Sequence, residues 1–286
     1  MTSASPLMSA TSAQAALAAD PARWLVCDCQ FELSDPAAGA RAYAAAHLPG
    51  AVHVHLDRDL SAPKTPGSGR HPLPEREAVA ARLAALGLRQ EMPVLVYDAS
   101  GGMYGARLWW MLRWLGHDAV WLLDGGLSAW RAAGGALETG APAARPPGDF
   151  TPRPPRASTI DYATLRASLG APGRLVVDAR APDRFRGENE TLDPVAGHIP
   201  GALNRCFKDN LAADGRFKPA EQLRAEWLAL MAGRQPVQLV QQCGSGVTAC
   251  HNLLAMAQAG LDGASLYPGS WSEWCQQPDA VIATGA

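Results

Sequence analysis

The sequence predicts an α/β protein of two tandem domains, each with a mainly parallel sheet flanked by helices. Short Val-, Leu- and Ile-rich runs alternate along the chain with Ala-, Leu- and Arg-rich segments of helical character. Such alternation favours parallel strands that are connected through helices covering the sheet. Motifs of the first half also recur in the second half in the same order, and a proline-rich stretch separates the two copies.

The repeat is visible in four pairs of segments. Their offsets lie between 144 and 151 residues and their order is kept, which a chance similarity would not do. The chain is therefore predicted to be a tandem duplication. The pairs are 24–28 with 174–178, 47–51 with 198–202, 93–98 with the run that ends at Cys243, and 125–130 with 269–274.

The repeat and the proline-rich stretch together set the expected domain bounds. We expect a first domain at 10–140, a linker at 141–157 and a second domain at 158–286. Six prolines between residues 134 and 157 exclude a regular helix and favour an extended linker on the surface. The predicted helices include 77–86, 105–115, 220–230 and 247–259.

Composition argues against several classes of partner. The chain of 286 residues has a formal net charge of -2, so it lacks the basic excess of a nucleic-acid-binding protein. It has no apolar run of the roughly 20 residues that span a bilayer. Residues 1–20 lack the basic start and compact apolar segment of a signal peptide. We expect a cytoplasmic protein without membrane or nucleic-acid partners.

The six cysteines are predicted to be free thiols. A chain of this size without an export signal does not need disulfides to stabilise it. Cys27 and Cys29 lie two residues apart and share one face of a strand, and no second close Cys or His pair completes a zinc site. Neither a metal nor a cofactor is expected.

One cysteine, Cys243, lies in a setting that favours a nucleophile. It follows an apolar run, is followed by glycines at 244 and 246, and precedes the helical segment 247–259. The glycines allow successive N–H groups to turn towards the sulfur, and the start of the helix adds positive potential. A thiolate is stabilised in such a loop, so Cys243 is predicted to be the reactive cysteine.

The loop Cys-Gly-Ser-Gly-Val-Thr at 243–248 resembles the active-site loop of rhodanese-type sulfurtransferases, in its 3-mercaptopyruvate sulfurtransferase version. The resemblance covers about residues 20 to 280 and implies two rhodanese-like domains, of which only the second is catalytic. In the first, Asp98 takes the place of the cysteine. The resemblance also implies that a Cys243 persulfide carries sulfur from 3-mercaptopyruvate or thiosulfate to a thiol or cyanide. The implied cradle is Gly244, Ser245, Gly246, Val247 and Thr248.

An arginine is expected to anchor the donor, because a guanidinium can bind a carboxylate through two hydrogen bonds. By motif position Arg184 matches the substrate-binding arginine of the family, whereas Arg180 is expected to pair with Asp178. Mercaptopyruvate enzymes carry a second arginine shortly before the Gly-His-Ile-Pro-Gly segment, but residues 187–196 of this chain contain none. We therefore expect a site with one arginine and weakened binding of mercaptopyruvate.

The resemblance also implies a proton relay from Ser245 through His71 to Asp57, the last two contributed by the first domain. An enolpyruvate leaving group must collect a proton, and a hydroxyl linked to a histidine can deliver it. The alternative interpretation of His71 is a loop histidine that only packs at the domain interface.

Several other residues are expected to serve the fold. His47 and His198 recur at the same point of both copies, which indicates a side-chain bond that fixes the turn before Pro-Gly. Trp130 and Trp274 also recur and are expected in the core. Trp271 has no aromatic counterpart in the first copy and is expected to line the pocket.

Two other functions stay open on the sequence. One is a thiosulfate:cyanide sulfurtransferase proper, and the other is a carrier whose persulfide passes to a protein acceptor without turnover. A phosphatase is disfavoured, because its loop needs an arginine six residues after the cysteine and Ala249 stands there.

Overall fold

The computed structural model describes residues 5–141, 145–171 and 173–286. These residues form two five-stranded sheets, one in each half of the chain, and the strands pair in parallel. Helices flank both sheets. The prediction of two α/β domains with parallel sheets is confirmed.

The first half contains five strands and six α-helices among the described residues, with a short 3₁₀ helix at Pro21–Arg23. The strands are β1 (Leu7–Met8), β2 (Leu25–Asp28), β3 (Val52–His53), β4 (Val94–Tyr97) and β5 (Val120–Leu123). The helices are α1 (Ala10–Ala19), α2 (Ala38–Ala45), α3 (Leu56–Asp59), α4 (Arg76–Ala85), α5 (Gly105–Trp114) and α6 (Gly126–Ala132). The sheet order is β1-β5-β4-β2-β3.

The second half repeats this architecture with five strands and five α-helices among its described residues, and with 3₁₀ helices at Phe207–Asn210 and Pro236–Gln238. The strands are β6 (Ser158–Thr159), β7 (Leu175–Asp178), β8 (Leu203–Asn204), β9 (Leu239–Gln242) and β10 (Ser265–Leu266). The helices are α7 (Tyr162–Ala167), α8 (Pro182–Arg186), α9 (Ala220–Met231), α10 (Thr248–Gln258) and α11 (Ser270–Trp274). The order β6-β10-β9-β7-β8 is that of the first sheet.

The central strands of both sheets are buried along their whole length. This holds for β2 and β4 in the first half and for β7 and β9 in the second. Strands covered on both faces by helices favour continuous apolar runs instead of alternation, which is the pattern of β2, β4 and β7, whereas β9 ends in the buried pair Gln241 and Gln242. The four predicted helices, now α4, α5, α9 and α10, end within one residue of the expected bounds.

The two halves meet along α5 and α10, which pack against each other. Residues 105–112 of α5 and 249–256 of α10 are all buried. A helix that is buried on every side must be covered all round, so each helix faces its own sheet and the other half of the chain. Both helices follow directly on the equivalent loops that begin at Asp98 and Cys243. Their packing therefore brings these two loops to the boundary between the halves.

The repeated histidines have the structural role expected of them. His47 Nδ1 lies 2.8 Å from the Tyr43 carbonyl oxygen, and His198 Nδ1 lies 2.8 Å from that of Phe185. Each imidazole also stacks on the ring of the same partner residue, with centroids 4.0 and 3.8 Å apart. The two turns before Pro-Gly are thus fixed to the preceding helical segment in the same way.

The connection between the halves lies against the first half. Residues 145–157 contain neither helix nor strand, while 142–144 of the expected linker lie outside the described residues. Gly148 N–H donates to the Ala84 carbonyl and Arg153 N–H to that of Leu115, both at 2.8 Å. Phe150 is buried. No helix in the described part of the chain is long and apolar enough to cross a membrane.

His251, a buried histidine of α10, contacts the first half of the chain and makes the free energy of unfolding depend on pH. His251 Nε2 lies 3.0 Å from the Gly101 carbonyl oxygen, and Nδ1 lies 3.2 Å from the amide nitrogen of Asn210. One nitrogen must donate and the other accept, which requires the neutral ring. Burial, opposed in part by the bond to Gly101, lowers the pKa of His251 to about 4.

We expect acid to destabilise the fold through His251. Between pH 6.5 and pH 4 the unfolded chain binds a proton at position 251 that the folded chain excludes, so this histidine contributes a decrease of about 1.4 kcal/mol in the free energy of unfolding for each unit by which the pH falls. Urea unfolding at intervals from pH 8 to pH 4.5 measures this slope. His251→Gln should flatten it by about that amount, after subtraction of its own cost at pH 8. Identical slopes in the variant and the wild type would contradict the assignment.

Candidate active site

Cys243 lies directly after β9 and before α10, in a loop whose N–H groups face its sulfur. Sγ is 3.1 Å from the Gly246 nitrogen and 3.5 Å from that of Ser245. Gly246 has φ +76°, and a β-carbon there would lie 2.3 Å from the Pro268 carbonyl oxygen, so glycine is required. Val247 lines the same cavity as the thiol. Two N–H groups of the expected cradle, those of Ser245 and Gly246, therefore contact the sulfur.

The equivalent loop of the first half surrounds a carboxylate. Asp98 is fully buried and accepts hydrogen bonds from the N–H groups of Ser100, Gly102, Tyr104 and Gly105 at 2.7 to 2.9 Å. Converging backbone N–H groups form a site for an anion. Both copies therefore build an anion-binding loop after the fourth strand, and only the second places a thiol in it.

Gly244 is a glycine for a different reason from the one expected. Its φ is not positive, so the turn of the chain does not require it. A β-carbon at position 244 would lie 2.6 Å from Nη2 of Arg70 and 3.5 Å from Nη1 of Arg184. The absence of a side chain therefore makes room for two guanidinium groups beside Cys243.

The other five cysteines are held as neutral thiols. None of the six forms a disulfide, as predicted. Burial raises the pKa of Cys27 and Cys250 to about 12 and that of Cys275 to about 11. It also raises the pKa of Cys29 and Cys206 above the ordinary value. A neutral thiol is a poor nucleophile, which leaves Cys243 as the candidate for sulfur chemistry.

The structure brings Ser245, His71 and Asp57 together, with His71 hydrogen-bonded to Ser245 and the Asp57 carboxylate beside the other ring nitrogen. His71 Nδ1 lies 2.8 Å from Ser245 Oγ, and His71 Nε2 lies 3.3 Å from Asp57 Oδ1. Asp57 belongs to α3 and His71 to the loop before α4. His71 is buried at the boundary between the halves, so it both packs there and bonds the serine of the cysteine loop.

His71 is neutral at physiological pH. Burial, followed by the positive charges of Arg107 and Arg70, lowers its pKa to about 3. The Asp57 carboxylate would favour the protonated ring and so oppose the lowering of this pKa. Asp57 is 39% exposed, however, so solvent screens its attraction for the ring. The donor on Nε2 then faces the carboxylate, and the free lone pair on Nδ1 accepts the Ser245 hydroxyl proton. This tautomer leaves His71 able to take up a proton through Ser245.

Arg107 lies behind the cysteine loop, and the sequence analysis missed it. It belongs to α5, is fully buried, and donates from Nη1 to the Gly246 carbonyl oxygen at 3.0 Å. Among the described residues, its Nε and Nη2 have no hydrogen-bond partner. A buried cation favours an anion placed near it. The available signal was an arginine inside the apolar helical segment 105–115.

Arg184, at α8, lies beside the loop with its guanidinium held by two buried carboxylates. Its Nε and Nη2 donate to Glu190 at 2.8 to 3.1 Å, and Nη2 donates to Asp193 at 3.1 Å. Arg180 instead pairs with Asp178 at 2.8 Å, as the sequence predicted. Arg184 is thus the freer of the two, with 18% of its side chain exposed against 1% for Arg180.

Cys243, His71 and Arg184 line a cavity of about 370 Å³. Its walls combine the cysteine loop with cations and with apolar groups from both halves. Trp271 was expected to line it, but that prediction is wrong. Trp271 is fully buried in the core of the second half, donates from Nε1 to the Val195 carbonyl oxygen, and lies under the Arg180 guanidinium. The lining includes Arg70, His71, Met103, Tyr104, Arg180, Arg184, Leu192, Lys208, Cys243, Ser245 and Thr248.

The family model of the rhodanese-like domain matches the chain twice, at residues 9–133 and 161–277. Three relatives are similar over most of their length. The chain is 55% identical over 263 residues to a probable 3-mercaptopyruvate sulfurtransferase of Pseudomonas aeruginosa, covering 91% of this chain and 92% of the relative. It is 41% identical over 279 residues to a putative thiosulfate sulfurtransferase of Mycobacterium tuberculosis, covering 94% and 93%. It is 38% identical over 249 residues to human 3-mercaptopyruvate sulfurtransferase, covering 84% and 81%.

Solved structures agree with these relatives. The crystal structure of the 3-mercaptopyruvate enzyme of Escherichia coli has a TM-score of 0.80 and 30% identity, covering 94% of this chain and 99% of that one. The corresponding enzyme of Leishmania major has a TM-score of 0.79 and 33% identity, covering 91% and 72%. From two matching domains and relatives of this identity and coverage, it follows that the chain belongs to the rhodanese-like family and is a tandem-domain sulfurtransferase.

Proposed function

We propose that the protein transfers the sulfur atom of 3-mercaptopyruvate to a thiol or to cyanide through a persulfide on Cys243. The observation that carries this proposal is the hydrogen bond between His71 and Ser245 of the cysteine loop, with the Asp57 carboxylate 3.3 Å from the other ring nitrogen of His71. Mercaptopyruvate needs such an arrangement, because its conversion to pyruvate moves a proton as well as a sulfur atom.

The first step is attack by the Cys243 thiolate on the sulfur of the donor. A sulfur–sulfur bond forms, the carbon–sulfur bond of the donor breaks, and its electron pair leaves on the enolate of pyruvate. Gly246 and Ser245 N–H groups, which contact Sγ, stabilise negative charge on the sulfur. The buried charge of Arg107 acts in the same direction from behind the loop.

The proton of the donor thiol must move from sulfur to carbon, since pyruvate carries it on its methyl group. Neutral His71 takes this proton through the Ser245 hydroxyl, and Asp57 stabilises the imidazolium that forms. Return of the proton along the same path converts the enolate to pyruvate. The products are pyruvate and a Cys243 persulfide anion, so atoms and charges balance without a further reagent.

The second step regenerates the enzyme. A thiolate or cyanide attacks the outer sulfur of the persulfide, the sulfur–sulfur bond breaks, and Cys243 leaves as a thiolate. In this scheme the catalytic domain is 158–286, and a non-catalytic domain at 10–140, joined by the linker 141–157, contributes His71 and Asp57. We place the activity in the cytoplasm. A protein acceptor is compatible with the same chemistry.

Thiosulfate is the second candidate donor. The relative from Mycobacterium tuberculosis that carries a thiosulfate name supports it. The cavity also contains cations, among them Arg184 and Lys208, that suit an inorganic dianion. Sulfite leaves thiosulfate without collecting a proton, however, so sulfur transfer from thiosulfate does not need the arrangement of Ser245, His71 and Asp57.

The donor is tested by steady-state kinetics with 3-mercaptopyruvate and thiosulfate on one preparation, with cyanide as the acceptor. We expect kcat/KM to be at least about tenfold higher for mercaptopyruvate, a difference of roughly 1.4 kcal/mol in transition-state binding. A higher value for thiosulfate would make thiosulfate the donor. Product formation limited to one equivalent per Cys243 with either donor would instead indicate a persulfide carrier.

A further inference from the structure

We propose that Arg70, from the first domain, is the second arginine that binds the carboxylate of the sulfur donor. The proposal rests on the proposed function, because it assigns a residue to the binding of 3-mercaptopyruvate. The sequence predicted a site with one arginine, since residues 187–196 lack the second arginine of related enzymes. In the folded protein Arg70, from the loop before α4, lies next to Gly244 and so beside Cys243.

Two guanidinium groups converge on Gly244, the residue after Cys243. Nη2 of Arg70 and Nη1 of Arg184 lie 2.6 and 3.5 Å from the position of a β-carbon on Gly244. Both side chains line the cavity, with 20% and 18% of their surface exposed. Over the described residues these two nitrogens have no hydrogen-bond partner, although both arginines bond through other nitrogens.

Residues 187–196, the segment without an arginine, supply carboxylates that orient the two guanidinium groups. Asp193 bonds Arg70 through one oxygen and Arg184 through the other, and its side chain is 2% exposed. Glu190 holds Arg184 from a further side. These bonds use Nη1 of Arg70 and Nε and Nη2 of Arg184, so the nitrogens directed at Gly244 remain available for an anion.

The main chain that carries Arg70 is anchored to the second domain. Arg70 N–H donates to Ser272 Oγ at 2.9 Å, and Ser272 N–H donates to the Gly244 carbonyl oxygen at 2.9 Å. Gln277 holds the same loop by donating to the Gly67 carbonyl oxygen at 3.2 Å. Arg70 is therefore fixed to the same backbone as the cysteine loop, and a binding group held in advance loses less entropy on binding.

A carboxylate fits between the two free nitrogens because each oxygen can accept a charged hydrogen bond from a different arginine. The α-keto carboxylate of mercaptopyruvate would then be held next to the cysteine, with its sulfur towards Cys243.

The test uses Arg70→Met, Arg70→Lys and Arg184→Met in the full chain, with Arg131→Met, an exposed arginine of α6, as the matched control. KM and kcat are measured for mercaptopyruvate. Pyruvate, which has the same carboxylate and ketone, is then used as an inhibitor of turnover with mercaptopyruvate and with thiosulfate. Gly244→Ala is a further variant, because its methyl group would displace the guanidinium of Arg70 without removing any charge.

We expect Arg70→Met to raise KM for mercaptopyruvate and the inhibition constant of pyruvate by about 10- to 150-fold, as Arg184→Met does, with kcat within about threefold. Arg70→Lys should recover part of the loss, Gly244→Ala should resemble Arg70→Met, and Arg131→Met should match the wild type. Unchanged pyruvate inhibition in Arg70→Met and Gly244→Ala, or a loss confined to kcat, would overturn the role of Arg70.

The same experiment separates this inference from the proposed function. A wild type that uses thiosulfate but not mercaptopyruvate would refute the proposed donor, and pyruvate inhibition of thiosulfate turnover would still measure whether Arg70 binds a carboxylate. A wild type that uses mercaptopyruvate with an Arg70→Met variant of unchanged KM would refute the role of Arg70 alone.

Discussion

Replacement of Cys243 by alanine is expected to abolish sulfur transfer with every donor. Loss of the nucleophile removes the covalent route, so turnover should fall to background, a decrease of at least about 10⁴-fold. Intact-protein mass spectrometry gives an independent readout. Wild-type protein incubated with donor and no acceptor should gain about 32 Da, the mass of one sulfur atom, and Cys243→Ala should gain none.

The matched control is Cys27→Ala in the first sheet. Burial raises the pKa of Cys27 to about 12, so this thiol is neutral and should contribute nothing to sulfur transfer. We expect the control to keep both turnover and the gain in mass. A Cys243→Ala variant that still acquires sulfur and turns over would place the reactive thiol elsewhere in the chain.

Substitution of Ser245 or His71 in the proposed proton relay is expected to lower turnover with mercaptopyruvate much more than turnover with thiosulfate. Ser245→Ala and His71→Gln should lower kcat for mercaptopyruvate by about 10²- to 10⁴-fold, the usual contribution of a positioned acid or base. Turnover with thiosulfate should change much less, because sulfite needs no proton to leave. Asp57→Asn should have a smaller effect on kcat for mercaptopyruvate, since Asp57 is 39% exposed and only lies near His71, 3.3 Å from Nε2.

The control for the proton relay is Ser128→Ala, an exposed serine of α6, which should match the wild type with both donors. The pH dependence adds a second check. His71 has a pKa of about 3 in the folded protein, so its titration should not limit mercaptopyruvate turnover anywhere above about pH 5. Equal losses with both donors in Ser245→Ala and His71→Gln would show that these residues only position the cysteine loop.

The fold could be predicted from local sequence because its determinants are local. Apolar runs that must be covered on both faces predicted β2, β4, β7 and β9. Helical segments between them predicted α4, α5, α9 and α10 to within one residue. The offsets of the repeated motifs predicted the duplication, and the equal strand orders of the two sheets agree with it.

The cysteine loop could also be recognised from sequence, because strand, glycines, thiol and helix follow each other within about 20 residues. Gly246 has the positive φ that such a loop requires. Gly244 does not, and the true reason for a glycine there lies in Arg70 and Arg184. That reason was not visible locally, since position 70 is far from position 244 along the chain.

The sequence by itself thus determined the duplicated α/β fold and the family, and it predicted Cys243 as the reactive cysteine. The family resemblance implied the contact between His71 and Ser245, which lie 174 residues apart, and the two residues are hydrogen-bonded. Only the tertiary structure decided the other surroundings of the sulfur: Arg107 bonds Gly246 across 139 residues, and Arg70 bonds Asp193 across 123. Secondary structure follows from side-chain pattern over a few residues, but these distances depend on how α5 packs against α10 and on how the loop before α4 reaches the second half. That packing depends on the shape of two complete domains, which no local pattern contains.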